Sequence, residues 1–443
     1  MLTTEVITRA RSINQLPDSV VEGALHCILD TLGVAIGGIN EPVSGHVRSE
    51  ALDEGGTPRA TLWGTGERVT RPQAALVNGT ASHALDFDDV VAVMDGHPSA
   101  PVLPALFAAA EGSGKSGIEF ITAFVAGFET EAMIGQLMKP SHYARGFHAT
   151  ATIGAFGATA AIAHLRGLDE SVWAHAFGIA GSRAAGLKSM FGTMTKPLQV
   201  GAAAESGVRA AALASRGVTA HTDVLGAPQG FRDSQSDAGD TAAQWNWTGF
   251  AIEDVLFKYH AACYLTHSAI EGGLLLRRSG LEPKEVESIE LLVPAGHLRV
   301  CDITEPATSL EGKFSLRFTT AAAIVTGDLS EQAFTSASLA DPDVTALRDR
   351  IKVSARADSA KRSSIVRLTR TDGTESVTDV DVNQPTPPDE LHRRWEALVK
   401  KFHSLVDPVM GVHSADRIVS EVAGLATSER IETLVQALAP GND

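Results

Sequence analysis

For about its first 253 residues this chain repeats apolar side chains at helical spacing, and from about residue 254 it abandons that pattern for alternation. Pro17-Asp18-Ser19 is a helix-initiating run, and Val21, Leu25, Ile28 and Leu32 follow it on one face. Further helices are predicted over 73–85, 102–111, 119–137, 151–164, 171–180 and 197–214, separated by Gly or short polar turns. Each needs another apolar stripe to cover its own, so this part must fold as helix against helix. Aromatics are only 5% of the chain while Ala and Gly abound, and small side chains let helices approach closely.

The second pattern is different. Residues 258–276 still read as helix, but 286–293 alternate and stop at Pro294, as a strand does. Residues 351–353 form a second short strand, and 364–370 and 375–380 flank Thr371-Asp372-Gly373, a hairpin turn. A helix is expected over 313–326, and the tail, 389–439, returns to helix and should rejoin the first domain. At 443 residues the chain exceeds what one core usually serves. The expected fold is mainly α: a large helical domain from residues 1–253 and 391–443, with a smaller α+β domain at 254–390.

Charge narrows the partners. A net charge of −16 argues against nucleic acid, which requires a basic surface. An acidic small molecule would instead need a few cations gathered in a pocket. Cys27, Cys263 and Cys301 are odd in number and far apart, which suits neither a disulfide framework nor zinc. Residues 1–13 include Glu5 and lack the pattern of a secretory signal. No membrane span is expected, since the longest apolar run, 149–165, reads as a buried helix. A reducing, cytoplasmic setting fits these features.

Four clusters hold the chemistry. His83 and Asp86, Asp88 and Asp89 precede Gly96-His97-Pro98-Ser99. A carboxylate beside an imidazole sets its tautomer and raises its basicity, although such acids also cap helices or hold hard cations. Residues 141–148 place His142, Tyr143, Arg145 and His148 just before a small-residue helix. Lys196-Pro197 sits where a helix starts, and Lys258 to His267 lies at the expected domain junction, where pockets often form. Taken singly, each has an ordinary reading as polar loop, surface lysine or buried thiol. No Walker A, H-E-x-x-H or G-x-S-x-G motif is present. Residues 226–240, rich in Gly, Asp, Ser and Gln, read as a loop.

In order along the chain, Asn78-Gly79-Thr80-Ala81-Ser82-His83-Ala84-Leu85-Asp86-Phe87-Asp88-Asp89, Gly96-His97-Pro98-Ser99, Arg145-Gly146-Phe147-His148, Gly192-Thr193-Met194-Thr195-Lys196-Pro197 and Gly312-Lys313-Phe314-Ser315 resemble the MmgE/PrpD family across nearly the whole length. That resemblance implies a helical domain, a smaller lid and an active site at their junction. It also implies a homodimer, no metal and no organic cofactor. Asp86, His97, His148 and Lys196 match the family's catalytic positions, Lys258 a substrate-binding lysine, and Tyr143 a proton-transfer tyrosine of epimerase-like members. Two departures stand out: Ala261 replaces a proline before Ala262-Cys263, and Phe318 stands where decarboxylase-type members carry tyrosine.

The implied chemistry is proton movement next to a carboxylate of a small di- or tricarboxylic acid. His97, oriented by Asp86, would carry the proton; His148 or Tyr143 would serve the other face, and Lys196 and Lys258 would hold carboxylates. A dehydratase or decarboxylase leads, an epimerase of an imino- or amino-dicarboxylate is the alternative, and a non-catalytic helical binding protein is third.

Overall fold

The computed structural model describes residues 1–237, 249–358 and 363–440. It is mainly helical, and each helix expected before residue 254 is present with its ends displaced by no more than three residues. The 151–164 segment divides into Ala149–Thr152 and Gly154–Leu165. Two further helices, Leu2–Arg11 and Pro42–Glu54, were not anticipated. Nor were two-residue strands at Ala60–Thr61 and Arg68–Val69, which pair inside the helical part.

Local chemistry explains the helix starts. Thr70 and Gln73 form a reciprocal capping box ahead of Arg71–Ala84, and Ser116 and Glu119 do the same for Gly117–Met138. Phe120, Phe124 and Phe128 line the buried side of the latter and meet a core that includes Phe156, Trp173 and Phe177. Arg71–Ala84 runs antiparallel to Thr195–Ala214 at very close range. A Cβ on Gly201 would lie 2.3 Å from the Leu76 carbonyl oxygen, and one on Gly79 would lie 3.0 Å from Gly201 Cα. Gly201 has no room for a side chain here, and one at Gly79 would force its neighbours apart. This close approach brings the end of one helix, where Asp86 follows, to the start of the other, where Lys196 stands.

The tail returns to the beginning. Leu391–Met410 packs along Asp18–Gly38, with Phe402 against Gly33 and Leu405 against Gly37. Two buried polar contacts cross the same seam: Lys401 Nζ to Asp30 Oδ1 at 2.6 Å and Arg394 Nε to His26 Nδ1 at 2.7 Å. Asp18–Gly38 corrects the expectation about apolar runs, because by length and composition it passes the test for a membrane span. Its apolar window is 78% buried inside the fold, the environment of a core helix.

The sheet lies within residues 286–380. Its order is Ile351–Ala355, Val286–Val293, Ser364–Arg370, Glu375–Val380, with the first pair parallel and the others antiparallel. Ile289 faces Ile351 on one side and Leu368 on the other. The Asp-Gly turn is formed with Gly373 at φ 83°. Helix His267–Arg278 covers the sheet, with Gly272 against Val366.

The helix expected over 258–276 begins only at His267. Residues 258–263 are irregular because their polar groups are committed to distant segments. Ala261 N donates to Leu329 O at 2.8 Å, and Cys263 N to Lys313 O at 3.0 Å. Within 226–240 the structure shows turns and a short helix, Phe231–Gln235, while 238–240 lie outside the described residues.

Candidate active site

A cavity of about 380 Å³ opens between the helical part and the α+β part. Asp86, His97, Tyr143, His148 and Lys196 all line it, gathered from four separate stretches of chain. Lys258 does not. It lies behind Asp86, fully buried.

Asp86 adopts a left-handed conformation, φ 52°, which aspartate tolerates better than most residues. Its Oδ1 accepts a hydrogen bond from Lys258 Nζ, and its Oδ2 makes an ion pair with Lys196 Nζ at 3.0 Å without hydrogen-bond alignment. Burial alone would raise this carboxyl, but Lys196 and then Lys258 hold it well below the usual range. In return, the Lys258 ammonium, which burial disfavours, is held charged and its pKa raised chiefly by Asp86. Lys196 is also flanked by the rings of Phe191 and Phe314, at 5.5 Å and 5.2 Å from Nζ to centroid.

The backbone here is clamped. Three consecutive carbonyls each accept from a different buried lysine: Leu85 O from Lys313 at 2.7 Å, Asp86 O from Lys258 at 2.7 Å, and Phe87 O from Lys401 at 2.6 Å. Lys401 also reaches the backbone oxygen of Lys258 at 2.9 Å. The turn carrying Asp86 is thus fixed by the α+β part, the junction and the returning tail together.

The histidines use another carboxylate. Asp88, not Asp86, stands beside His97, with Oδ2 3.3 Å from His97 Nδ1, and it bonds His83 Nδ1 at 2.8 Å. The expectation that Asp86 orients His97 is therefore corrected: the left-handed turn sends Asp86 to the lysines and Asp88 to the imidazoles. Burial would raise the Asp88 carboxyl, but His83 and His97 hold it well below its ordinary value. Burial brings His83 down to about 4. The ligand-capable atoms of His83, Asp88 and His97 lie within 4.8 Å of one another, the composition of a possible cation site. One of them, His83 Nδ1, is already hydrogen-bonded to Asp88.

His148 has a defined tautomer. Gln199 Nε2 donates to Leu187 O at 3.4 Å, which turns Gln199 Oε1 toward His148 Nδ1 at 2.8 Å. Nδ1 therefore carries the hydrogen and Nε2 the lone pair. Nε2 is buried and has no protein hydrogen bond. Burial, then the nearby His83 and Lys196, pulls His148 well below its usual value, so it is a neutral base.

Three cavity groups escaped the sequence analysis: Lys188, His297 and Arg299. Lys188 Nζ lies 3.4 Å above the Tyr143 ring centroid and donates to Tyr143 O at 3.1 Å. Burial, then Arg299, brings Lys188 down to about 8. Burial raises the Tyr143 phenol well above its ordinary value, so it is neutral near pH 7 and able to donate. No local motif marks these residues; the one available signal was the positive charge of Lys188 and Arg299 in an acidic chain. Cys263 lines the cavity with its thiol against Cys301 of the α+β part. Phe318 packs on Phe334 with ring centroids 6.0 Å apart and is not among the residues lining the cavity.

Comparison with known proteins agrees across the chain. The MmgE/PrpD N-terminal domain profile matches residues 6–244, and the MmgE/PrpD C-terminal domain profile matches 260–426. Human cis-aconitate decarboxylase is 26% identical over 97% of this chain and 92% of its own length. The Aspergillus terreus protein of the same name is 26% identical over 99% and 96%. The mitochondrial 2-methylcitrate dehydratase of Yarrowia lipolytica is 24% identical over 82% and 76%.

Proposed function

Since this chain belongs to the MmgE/PrpD family and is a lyase of that family, we propose that it moves a proton at the carbon next to a carboxylate of a tricarboxylic acid related to cis-aconitate or 2-methylcitrate, needing no cofactor. The observation that carries the reading is the lining of one cavity. The lone pair of His148 Nε2 and the ring of His97, backed by Asp88, share it with Lys196, Lys188 and Arg299.

In a dehydration, one imidazole takes the proton next to the carboxylate while the C–O bond breaks and the hydroxyl leaves as water, protonated by the partner acid. In a decarboxylation, the C–CO2 bond breaks, its electron pair shifts through the neighbouring double bond, and the far carbon takes the proton. Both routes build negative charge on a retained carboxylate, where fixed ammonium and guanidinium groups act without reorganising. Lys196 is close enough to act on His148, and on His83 behind it, lowering both. Lys258 acts through Asp86 and the backbone, not on the substrate. His97 carries the proton and His148 or Tyr143 serves the opposite face.

Tyr143 favours a second reading. A neutral phenol facing the same cavity gives a second proton-handling group, as an epimerase of an imino-dicarboxylate requires. The proposal extends to a cytoplasmic homodimer. Incubation with cis-aconitate, 2-methylcitrate and iminodisuccinate, with product identification by NMR, decides between the readings. Release of CO2 or water from a tricarboxylate supports the lyase; inversion of the imino acid alone replaces it with the epimerase.

A further inference from the structure

A second cavity, of about 470 Å³, lies at the opposite ends of the two helices that lead to Asp86 and Lys196. Arg59, Arg71, Arg166, Arg209 and Arg216 converge on it, and no lysine or carboxylate lines it. Arg71 is in the first turn of Arg71–Ala84, while Arg209 lies in the second half of Thr195–Ala214 and Arg216 follows its end. At 1.5 Å per residue the first helix separates this cavity from the Asp86 turn by about 20 Å.

These arginines are poorly neutralised. Arg209 is matched by Glu205 at 2.6 Å, and the neighbouring Arg68 by Glu111 at 2.5 Å. Among the described residues Arg59, Arg71, Arg166 and Arg216 have no carboxylate at salt-bridge distance. Arg71 spends its donors on the carbonyls of Ala108 at 2.9 Å and Glu111 at 3.2 Å, and Arg216 on that of Ala212 at 3.1 Å. Burial chiefly lowers Arg166 from its ordinary value, and the nearby charges of Arg71 and Arg216 add to that, so the cations crowd one another. Such crowding is unexpected in a chain with 53 acidic against 37 basic residues, where acids are plentiful as partners.

The composition of the cavity indicates what would relieve it. Guanidinium forks match phosphate oxygens two at a time, and the exclusive use of arginine over lysine suits that geometry. Four arginines without a paired carboxylate, three of them open to solvent, suit a ligand with several negative charges held close together. Val208, Ala212, Leu213 and Pro72 supply an apolar wall beside them, and the volume is in the range of small-molecule sites. We propose that this cavity binds a small molecule carrying a di- or triphosphate, of nucleotide size, at a site separate from the lyase cavity.

The test is calorimetric titration of the full-length protein with ATP and, separately, with inorganic pyrophosphate. Both are repeated in the presence of saturating tricarballylate, a saturated tricarboxylate that occupies the lyase cavity without reacting. One ATP is expected per chain, undisturbed by tricarballylate. The double substitution Arg166→Ala, Arg216→Ala should weaken binding at least about tenfold, from the loss of charge-assisted hydrogen bonds, with lyase turnover retained as evidence of folding. Pyrophosphate binding as tightly as ATP assigns recognition to the phosphates alone, and tighter ATP binding adds the apolar wall; either supports the site. No heat with either ligand, displacement by tricarballylate, or unchanged affinity in the double variant would overturn it.

Discussion

Lys401 offers a quantitative test of how the catalytic turn is held. Lys401→Met keeps most of the side chain's length and removes three donated bonds, to Asp30 Oδ1, Phe87 O and Lys258 O. It leaves Asp30 buried without its ammonium partner. Burial already raises Asp30 to about 6, against an ordinary value of 3.8, with Lys401 opposing that rise. Without Lys401 the folded pKa climbs further, and Asp30 keeps its proton across neutral pH. The sign follows from linkage. A carboxyl whose folded pKa is raised destabilises the fold increasingly as pH climbs from the unfolded to the folded pKa, and then no further. In the wild type that loss stops near pH 6. In the variant it continues, by about 1.4 kcal/mol for each pH unit. The stability gap between the two proteins should therefore widen by about 3 kcal/mol between pH 6 and pH 8. Urea titrations of both proteins at pH 6, 7 and 8 measure it. A gap that stays constant over this range would refute the reasoning, because Asp30 would then be ionised in the variant without help from Lys401. A loss of kcat in the still-folded variant at pH 6 would separately register the displaced Phe87 and Lys258 carbonyls.

His97→Gln should lower kcat by about 10²-fold or more, the usual contribution of a general base, and near-normal turnover in a folded variant would remove His97 from that role. Lys188, brought down to about 8, loses its charge as pH rises through that value; KM for an anionic substrate should climb above pH 8, and Lys188→Arg should abolish that climb. An unaltered KM limb in Lys188→Arg would assign it to another group.

The fold was legible wherever the pattern was local. Strand 286–293 was marked by its alternation and Pro294, and the hairpin by Asp372-Gly373, because in both cases side-chain period and turn chemistry agree with the final structure. The failure at 258–263 has the opposite cause. Its composition permits helix, but Lys258, Ala261 and Cys263 are each held by partners 50 or more residues away in sequence. The site divides in the same way. Asp86, His97, Tyr143, His148 and Lys196 sit in recognisable clusters and do share one cavity. Their pairing was not legible, because a single left-handed residue at Asp86 decides which carboxylate meets the lysines and which meets the histidines. Lys188 and Arg299 belong to no motif and become site residues only when the α+β part covers the helices.

The most direct test of proton transfer is the product made in D2O. Purified protein is incubated in D2O with cis-aconitate or 2-methylcitrate and followed by proton NMR. The account predicts turnover of one of them, with solvent deuterium at the carbon next to a retained carboxylate after decarboxylation, or loss of that carbon's proton signal on dehydration. Turnover that leaves this carbon's hydrogen unexchanged, or a folded protein inert toward every tricarboxylate offered, would contradict it.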